Sequence, residues 1–221
     1  VAQNSPVQRP LSGDPMSQII LRNGTQELIH VAIFRKPTRH PNLGSFAWMV
    51  VSPPPAGQSV VAIPQYYEVY VNVPTTPEER TDPNSGARTP AISISDFTSR
   101  FRVQEEAGDT VSLVQAEEGL VPGELRIDNL AGVGVWTHIQ QNGVDIYRPQ
   151  ALAPGSSFLA AQPSTPFYLA VVSGSSREGS LLSEVEISTT TIPILPGQTA
   201  TVTGSVWSGY EIEVEHGDTD A

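Results

Sequence analysis

Residues 66–73 read Tyr-Tyr-Glu-Val-Tyr-Val-Asn-Val. Tyr67, Val69, Val71 and Val73 alternate with Tyr66, Glu68, Tyr70 and Asn72, a period of two that sorts side chains onto the two faces of an extended strand. β-Branched and aromatic residues fill the run, as a half-buried pleated surface requires. Pro64 precedes it and Pro74 follows it, and proline is tolerated at the margin of a strand but not inside a ladder.

The same grammar extends in both directions. Ile19, Ile20 and Leu21 open a first strand, and Asn23-Gly24 after it predicts a tight hairpin turn. The segment 27–34 carries Leu28, His30, Ala32 and Phe34 on one face and Ile29, Val31 and Ile33 on the other, so it reads as a central strand. Further strands are expected over 45–51, 58–63, 101–104, 110–115, 123–128, 133–140, 144–147, 157–161, 167–172, 184–191, 199–206 and 210–215. Gln141-Asn142-Gly143 predicts a hairpin, and Leu195-Pro196-Gly197 a turn. A helix is conceivable only just upstream of Glu117, and Gly108 opposes a long one. The expected class is all-β, an antiparallel β-sandwich or jelly-roll-like fold with little or no helix. No internal repeat of fixed period is visible, which argues against a propeller or solenoid.

Composition agrees. Among 221 residues there are 20 Pro and 18 Gly, too many breaks for long helices. A chain of this length builds a core without covalent staples, and Cys is absent, which removes thiol chemistry and disulfides and leaves the compartment open. Twelve basic against 23 acidic residues give a net charge of -11, which opposes binding to nucleic acid or anionic lipid. No stretch approaches the ~18 apolar residues of a membrane span. The expected organisation is a Pro-rich arm over 1–17, one β-domain over 18–215 with a long exposed loop at 74–90, and an acidic tail over 216–221.

The sequence offers few sites. No Gly-x-Ser-x-Gly elbow occurs, and His30, His40, His138 and His216 stand apart from one another, without ligand spacing. Glu184 with Glu186, and Glu211 with Glu213 and Glu215, have the spacing of one strand face, which a solvated outer face explains as well as a carboxylate pair for glycoside hydrolysis. Together with Asp218 and Asp220, the last three make an oxygen-rich terminus suited to calcium or simply to solubility. Arg35, Lys36, Arg39 and His40 form a basic loop in an acidic protein, a dock for the acidic end of a neighbouring subunit or an internal surface pair. Asn23-Gly24-Thr25 matches a glycosylation acceptor. Trp48, Trp136 and Trp207 offer sugar-stacking surfaces, although core packing is the expectation for at least two.

Several of these segments, in this order, resemble the RhiA family, named for a rhizosphere-expressed protein of root-nodule bacteria. They are Leu43-Gly44-Ser45-Phe46-Ala47-Trp48, Gly123-Glu124-Leu125-Arg126-Ile127, Gln162-Pro163 with Pro166-Phe167-Tyr168, the run 179–187, and Leu195-Pro196-Gly197. The resemblance is collinear over about residues 20–214 and implies a β-rich fold of unsettled function, with no catalytic residues to transfer.

The leading functional expectation is a non-enzymatic structural protein that assembles into a homo-oligomer or filament through sheet edges and the N-terminal arm, with Ile19, Ile20 and Leu21 at the arm's root. The alternative is a secreted carbohydrate- or surface-binding module using exposed aromatics such as Tyr66 and Tyr70. No cofactor is expected apart from the calcium option.

Overall fold

A computed structural model describes residues 18–36, 46–64, 66–107, 110–163, 166–182 and 189–215. The fold is all-β, with 18 strands among the described residues. They are β1 (Gln18–Asn23), β2 (His30–Phe34), β3 (Ala47–Val51), β4 (Gln58–Ala62), β5 (Tyr67–Val73), β6 (Ala87–Arg88), β7 (Ile92–Ile94), β8 (Ser99–Glu106) and β9 (Thr110–Ala116). There follow β10 (Glu124–Asn129), β11 (Val135–Gln141), β12 (Val144–Asp145), β13 (Gln150–Leu152), β14 (Ser157–Ala161), β15 (Phe167–Val172), β16 (Ile192–Ile194), β17 (Thr199–Ser205) and β18 (Gly209–Glu215). One 3₁₀ turn, Glu79–Thr81, interrupts the pattern, and no described helix is long and apolar enough to cross a membrane.

Four sheets form. The first runs β18-β17-β1-β4, the second β14-β10-β8-β9 and the third β16-β15-β2-β3. The fourth runs β12-β11-β5-β6, with β13 also on β11 and β7 also on β5. Two pairs are parallel, β1 with β17 and β10 with β8, so the first and second sheets are mixed while the third and fourth are purely antiparallel.

Beneath this order lies a duplication. β1 sits between parallel β17 and antiparallel β4, and β10 sits in the same way between parallel β8 and antiparallel β14. β2 sits between β3 and β15 as β11 sits between β13 and β5. The flanking pairs β5–β7 and β8–β9 recur as β15–β16 and β17–β18. The correspondence reaches single hydrogen bonds at the ends of β1 and β10. Asn23 accepts from the Thr25 N–H at 2.9 Å and donates to the Glu27 and Pro53 carbonyls at 2.9 and 3.1 Å. Asn129 accepts from the Ala131 N–H at 3.1 Å and donates to the Val133 and Leu152 carbonyls at 2.8 and 3.0 Å. Each half thus lends strands to sheets begun by the other, and the halves interlock.

This arrangement corrects the hairpin expected at Asn23-Gly24, because β1 and β2 belong to different sheets. The buried Asn23 side chain instead pins a turn that ends one sheet and leads into another. The hairpin at Gln141-Asn142-Gly143 does form, with Asn142 and Gly143 at φ 55° and 77° and Gln141 paired to Val144. Leu195-Pro196-Gly197 makes the expected turn, with Gly197 at φ 90°.

One continuous core draws on all four sheets, with equivalent positions filled by different apolar residues: Ile19 and Leu125, Leu21 and Ile127, Val69 and Leu169, Leu113 and Ile212. Burial of these side chains supplies the main driving force for the fold, roughly 1.5–3 kcal/mol for each large one.

Candidate functional site

The two halves serve as each other's control. On the third sheet, the face turned away from the main core carries Ala32, Phe34, Ala47, Ala170 and Val172, a small apolar cluster. On the fourth sheet the equivalent cross-strand pairs are polar. Ala32 opposite Ala170 becomes His138 opposite Tyr70, and Phe34 opposite Tyr168 becomes Gln140 opposite Glu68. His30 opposite Val172 becomes Trp136 opposite Asn72. At four of these six places the other half carries apolar residues, so the fold itself accommodates them there.

That set is bonded throughout. The His138 and Tyr70 rings stack at 4.6 Å with 3° between planes, and the Arg88 guanidinium lies 3.6 Å from the Tyr70 centroid. Gln140 donates to the Tyr70 hydroxyl at 2.8 Å. His138 Nδ1 faces the Asp145 carboxylate at 3.1 Å, and Nε2 faces the Pro83 carbonyl at 2.9 Å. Asn72 donates to the same carbonyl at 2.8 Å. Nδ1 thus meets an acceptor, while Nε2 lies against both the Pro83 carbonyl and, at 3.4 Å, the Asn72 amide nitrogen. Burial, reinforced by the Asp145 carboxylate, pushes the Tyr70 phenol up to about 12, against the pull of Arg88. A buried array of this kind, in which nearly every group is bonded, holds its members in one geometry. The exception is the Asn72 Oδ1, which is buried without a hydrogen-bond partner.

The loop at 74–90 is what covers this face. Expected as an exposed, patternless stretch, it is largely exposed but folds back: Ala87–Arg88 pairs with β5 and Pro83 seats its carbonyl on His138 and Asn72. Tyr70, expected as an exposed aromatic, is consequently buried, as is Asn72, while Tyr66 is exposed. Beside the loop opens a cleft of about 520 Å³ bordered by Asn84, Trp136, Asp145, Arg148 and Glu178. Trp136 is partly exposed and also borders a second, more apolar hollow of about 500 Å³ on its other side. The cleft thus offers an aromatic wall and a carboxylate on strands β11 and β12, Trp136 and Asp145, and a second carboxylate, an amide and a guanidinium on the neighbouring turns, Glu178, Asn84 and Arg148. His138 presents no free ring nitrogen to it, since Pro83 caps Nε2.

The residues singled out in the sequence are dispersed. Ile19 and Leu21 lie in the core of β1, which is fixed between β17 and β4, so they anchor the chain internally. Ile20 is partly buried on the opposite face. The arm over 1–17 and the tail over 216–221 lie outside the described residues, as do Arg39, His40, Glu184, Glu186, Asp218 and Asp220. Arg35 packs 4.0 Å from the Phe167 centroid, while Lys36 lies 4.1 Å from that of Tyr168 and bonds Thr191 at 2.9 Å. Both cations, half-buried, make these contacts within the chain. Glu211, Glu213 and Glu215 are exposed, and Arg22 bridges Glu215 at 2.8 Å. Among the described residues no three His, Asp or Glu side chains gather closely enough to hold a metal ion.

His30, bonded to Ser52 at 2.7 Å, and His138 are hydrogen-bonded strand residues as expected. Asn23 is 2 % exposed with its amide fully used, which removes it as a glycan acceptor in the folded chain. The expectation of two core tryptophans is corrected, because only Trp48 is buried, donating to the Gln141 carbonyl at 2.7 Å, while Trp207 is 93 % exposed. Sequence reasoning missed Arg88, Asp145 and Arg148. Their signal was faint: charged residues beside turns, converging only through the register of β5, β11 and β12. No known family model matches the chain, and no curated protein matches it.

Proposed function

We propose that this protein is a non-enzymatic binding module that takes a saccharide, a neutral and hydroxyl-rich ligand, in the cleft between the 74–90 loop and the β11–β12 hairpin. The observation that carries the reading is the polar replacement of one sheet face, His138, Tyr70, Asn72 and Gln140 standing where the other half has Ala32, Ala170, Val172 and Phe34. Sugars combine an apolar ring face with outward hydroxyls. Trp136 supplies a surface for the first, and Asp145, Glu178, Asn84 and Arg148 supply acceptors and donors for the second. The net charge of -11 disfavours polyanionic ligands, including acidic glycans, and is compatible with neutral saccharides.

The buried network behind the cleft acts as a brace. Asp145 is fixed by His138, which is fixed by Tyr70 and Pro83, so the carboxylate meets its ligand already oriented and little side-chain entropy is lost on binding. The test is a glycan array probed with the wild-type protein and Trp136→Ala. Specific signal that the variant loses by tenfold or more supports the reading. A blank array for the wild type, or signal indifferent to Trp136, overturns it.

A further inference from the structure

We infer that copies of this chain associate head to tail, Trp207 of one copy entering the hollow beside Trp136 of the next. Trp207 is 93 % exposed at the β17–β18 turn, next to Val206 at 65 %. Single exposed apolar residues are ordinary, but two large adjacent ones at the end of a fixed turn mark a contact surface. The tip is also held in place. Gly204 and Gly209 take φ 93° and 84°, and the Ser205 hydroxyl accepts from the Trp207 and Ser208 N–H groups at 3.3 and 3.1 Å. The Glu27 carboxylate accepts from the Val206 N–H at 3.0 Å and from the Tyr210 hydroxyl at 2.6 Å, tying the turn to the segment that bears Leu28. An indole presented by a fixed turn loses little freedom on docking.

The matching hollow lies at the start of β11, the place related by the duplication to the segment that bears Leu28. Glu27 and Val133 both receive the amide of the asparagine ending their strand, so the next residues, Leu28 and Gly134, are equivalent. Where one end has a leucine, the other has a glycine at the mouth of a cavity of about 500 Å³, bordered by Pro74, Val133, Leu152, Pro154 and Trp136. A Cβ built on Gly134 would meet only the Leu152 carbonyl oxygen, at 3.8 Å, so the space there is open. Charge agrees with the match: Glu27 and Glu211 flank the tip, and the exposed Arg80 borders the hollow. The nearby Glu105 is already occupied by the Gly132 N–H at 2.8 Å. Tip and hollow are different patches of one chain, so the contact is heterologous and each copy keeps one of each free for the next.

Analytical ultracentrifugation over a wide concentration range tests this with wild type, Trp207→Ala and Gly134→Leu. The wild type should show concentration-dependent growth beyond a dimer, or closure into a ring. Each variant alone should weaken association at least tenfold. Mixed, the two variants should form a one-to-one dimer and stop there, because the Trp207→Ala copy retains a hollow and the Gly134→Leu copy retains a tip. That dimer also shows both variants to be folded. A wild type that stays a monomer, a Trp207→Ala protein that associates as the wild type does, or a mixture that fails to pair would each overturn the inference.

Discussion

Replacing Asn23 or Asn129 by alanine should wound the protein at two distant places to nearly the same degree. Asn129 is 0 % exposed and makes three hydrogen bonds, to Ala131, Val133 and Leu152. Asn23 is 2 % exposed and makes the equivalent three plus one from the Thr25 hydroxyl at 2.7 Å. At about 1 kcal/mol for each buried bond, with a further cost for partners left unsatisfied, each substitution should cost about 3–4 kcal/mol. With a urea m-value of roughly 3 kcal/mol/M, the unfolding midpoint should fall by about 1 M in both variants. Aspartate is no remedy, because it turns an acceptor toward two carbonyl oxygens, and Asn129→Asp should cost at least as much as alanine. Equilibrium urea unfolding followed by tryptophan fluorescence reads all of this, with the exposed Asn84→Ala as the variant expected to change little. If one asparagine cost 3 kcal/mol and the other well under ~1, the two turns would not be equivalent supports and the duplication would be superficial.

The same interlocking predicts that fragments 1–117 and 118–221 each lack a stable fold alone, because β1, β2, β10 and β11 all pair with strands of the opposite half; circular dichroism of the separate and mixed fragments checks this, with structure expected only on mixing. Burial raises the Asp128 carboxyl, but bonds from Ser157, Arg126 and Arg100 outweigh it and hold the group below its usual range. Its stabilisation is therefore present above the ordinary carboxyl range and lost as pH falls through the lowered value, so Asp128→Asn should cost about 2 kcal/mol at pH 7 and flatten the acid limb of the stability curve. Gly86 takes φ 93° with its Cα packed against the Val73 carbonyl, and Gly86→Ala should loosen the 74–90 loop, seen as faster proteolytic cleavage within it and weaker ligand binding while the core melts nearly as before.

The strands were legible because alternation and turn chemistry are local. The 157–161 and 167–172 segments match β14 and β15 to the residue, and the Asn142-Gly143 hairpin follows from two positive-φ positions. The duplication was not legible. Its equivalent core positions share hydrophobicity but not identity, as Ile19 and Leu125 do, and its loops differ in length, so no fixed period survives. Asn23-Gly24 misled for a physical reason: asparagine that favours a hairpin turn also pins a turn between sheets with its side chain, and only the sheet partners of β1 decide between them. The cleft was hidden for the same reason. Tyr70, Pro83, His138 and Asp145 meet only through the pairing of β5 with β11 and the fold-back of a loop that has no hydrophobic pattern of its own.

The three tryptophans provide one decisive reading of the binding cleft, since each indole N–H gives a resolved proton–nitrogen signal and each sits in a different setting: Trp48 in the core, Trp136 at the cleft and Trp207 on the tip. Titrating a saccharide into dilute labelled protein should move the Trp136 signal and leave those of Trp48 and Trp207 in place. Movement of the Trp207 signal with Trp136 unmoved would contradict the account.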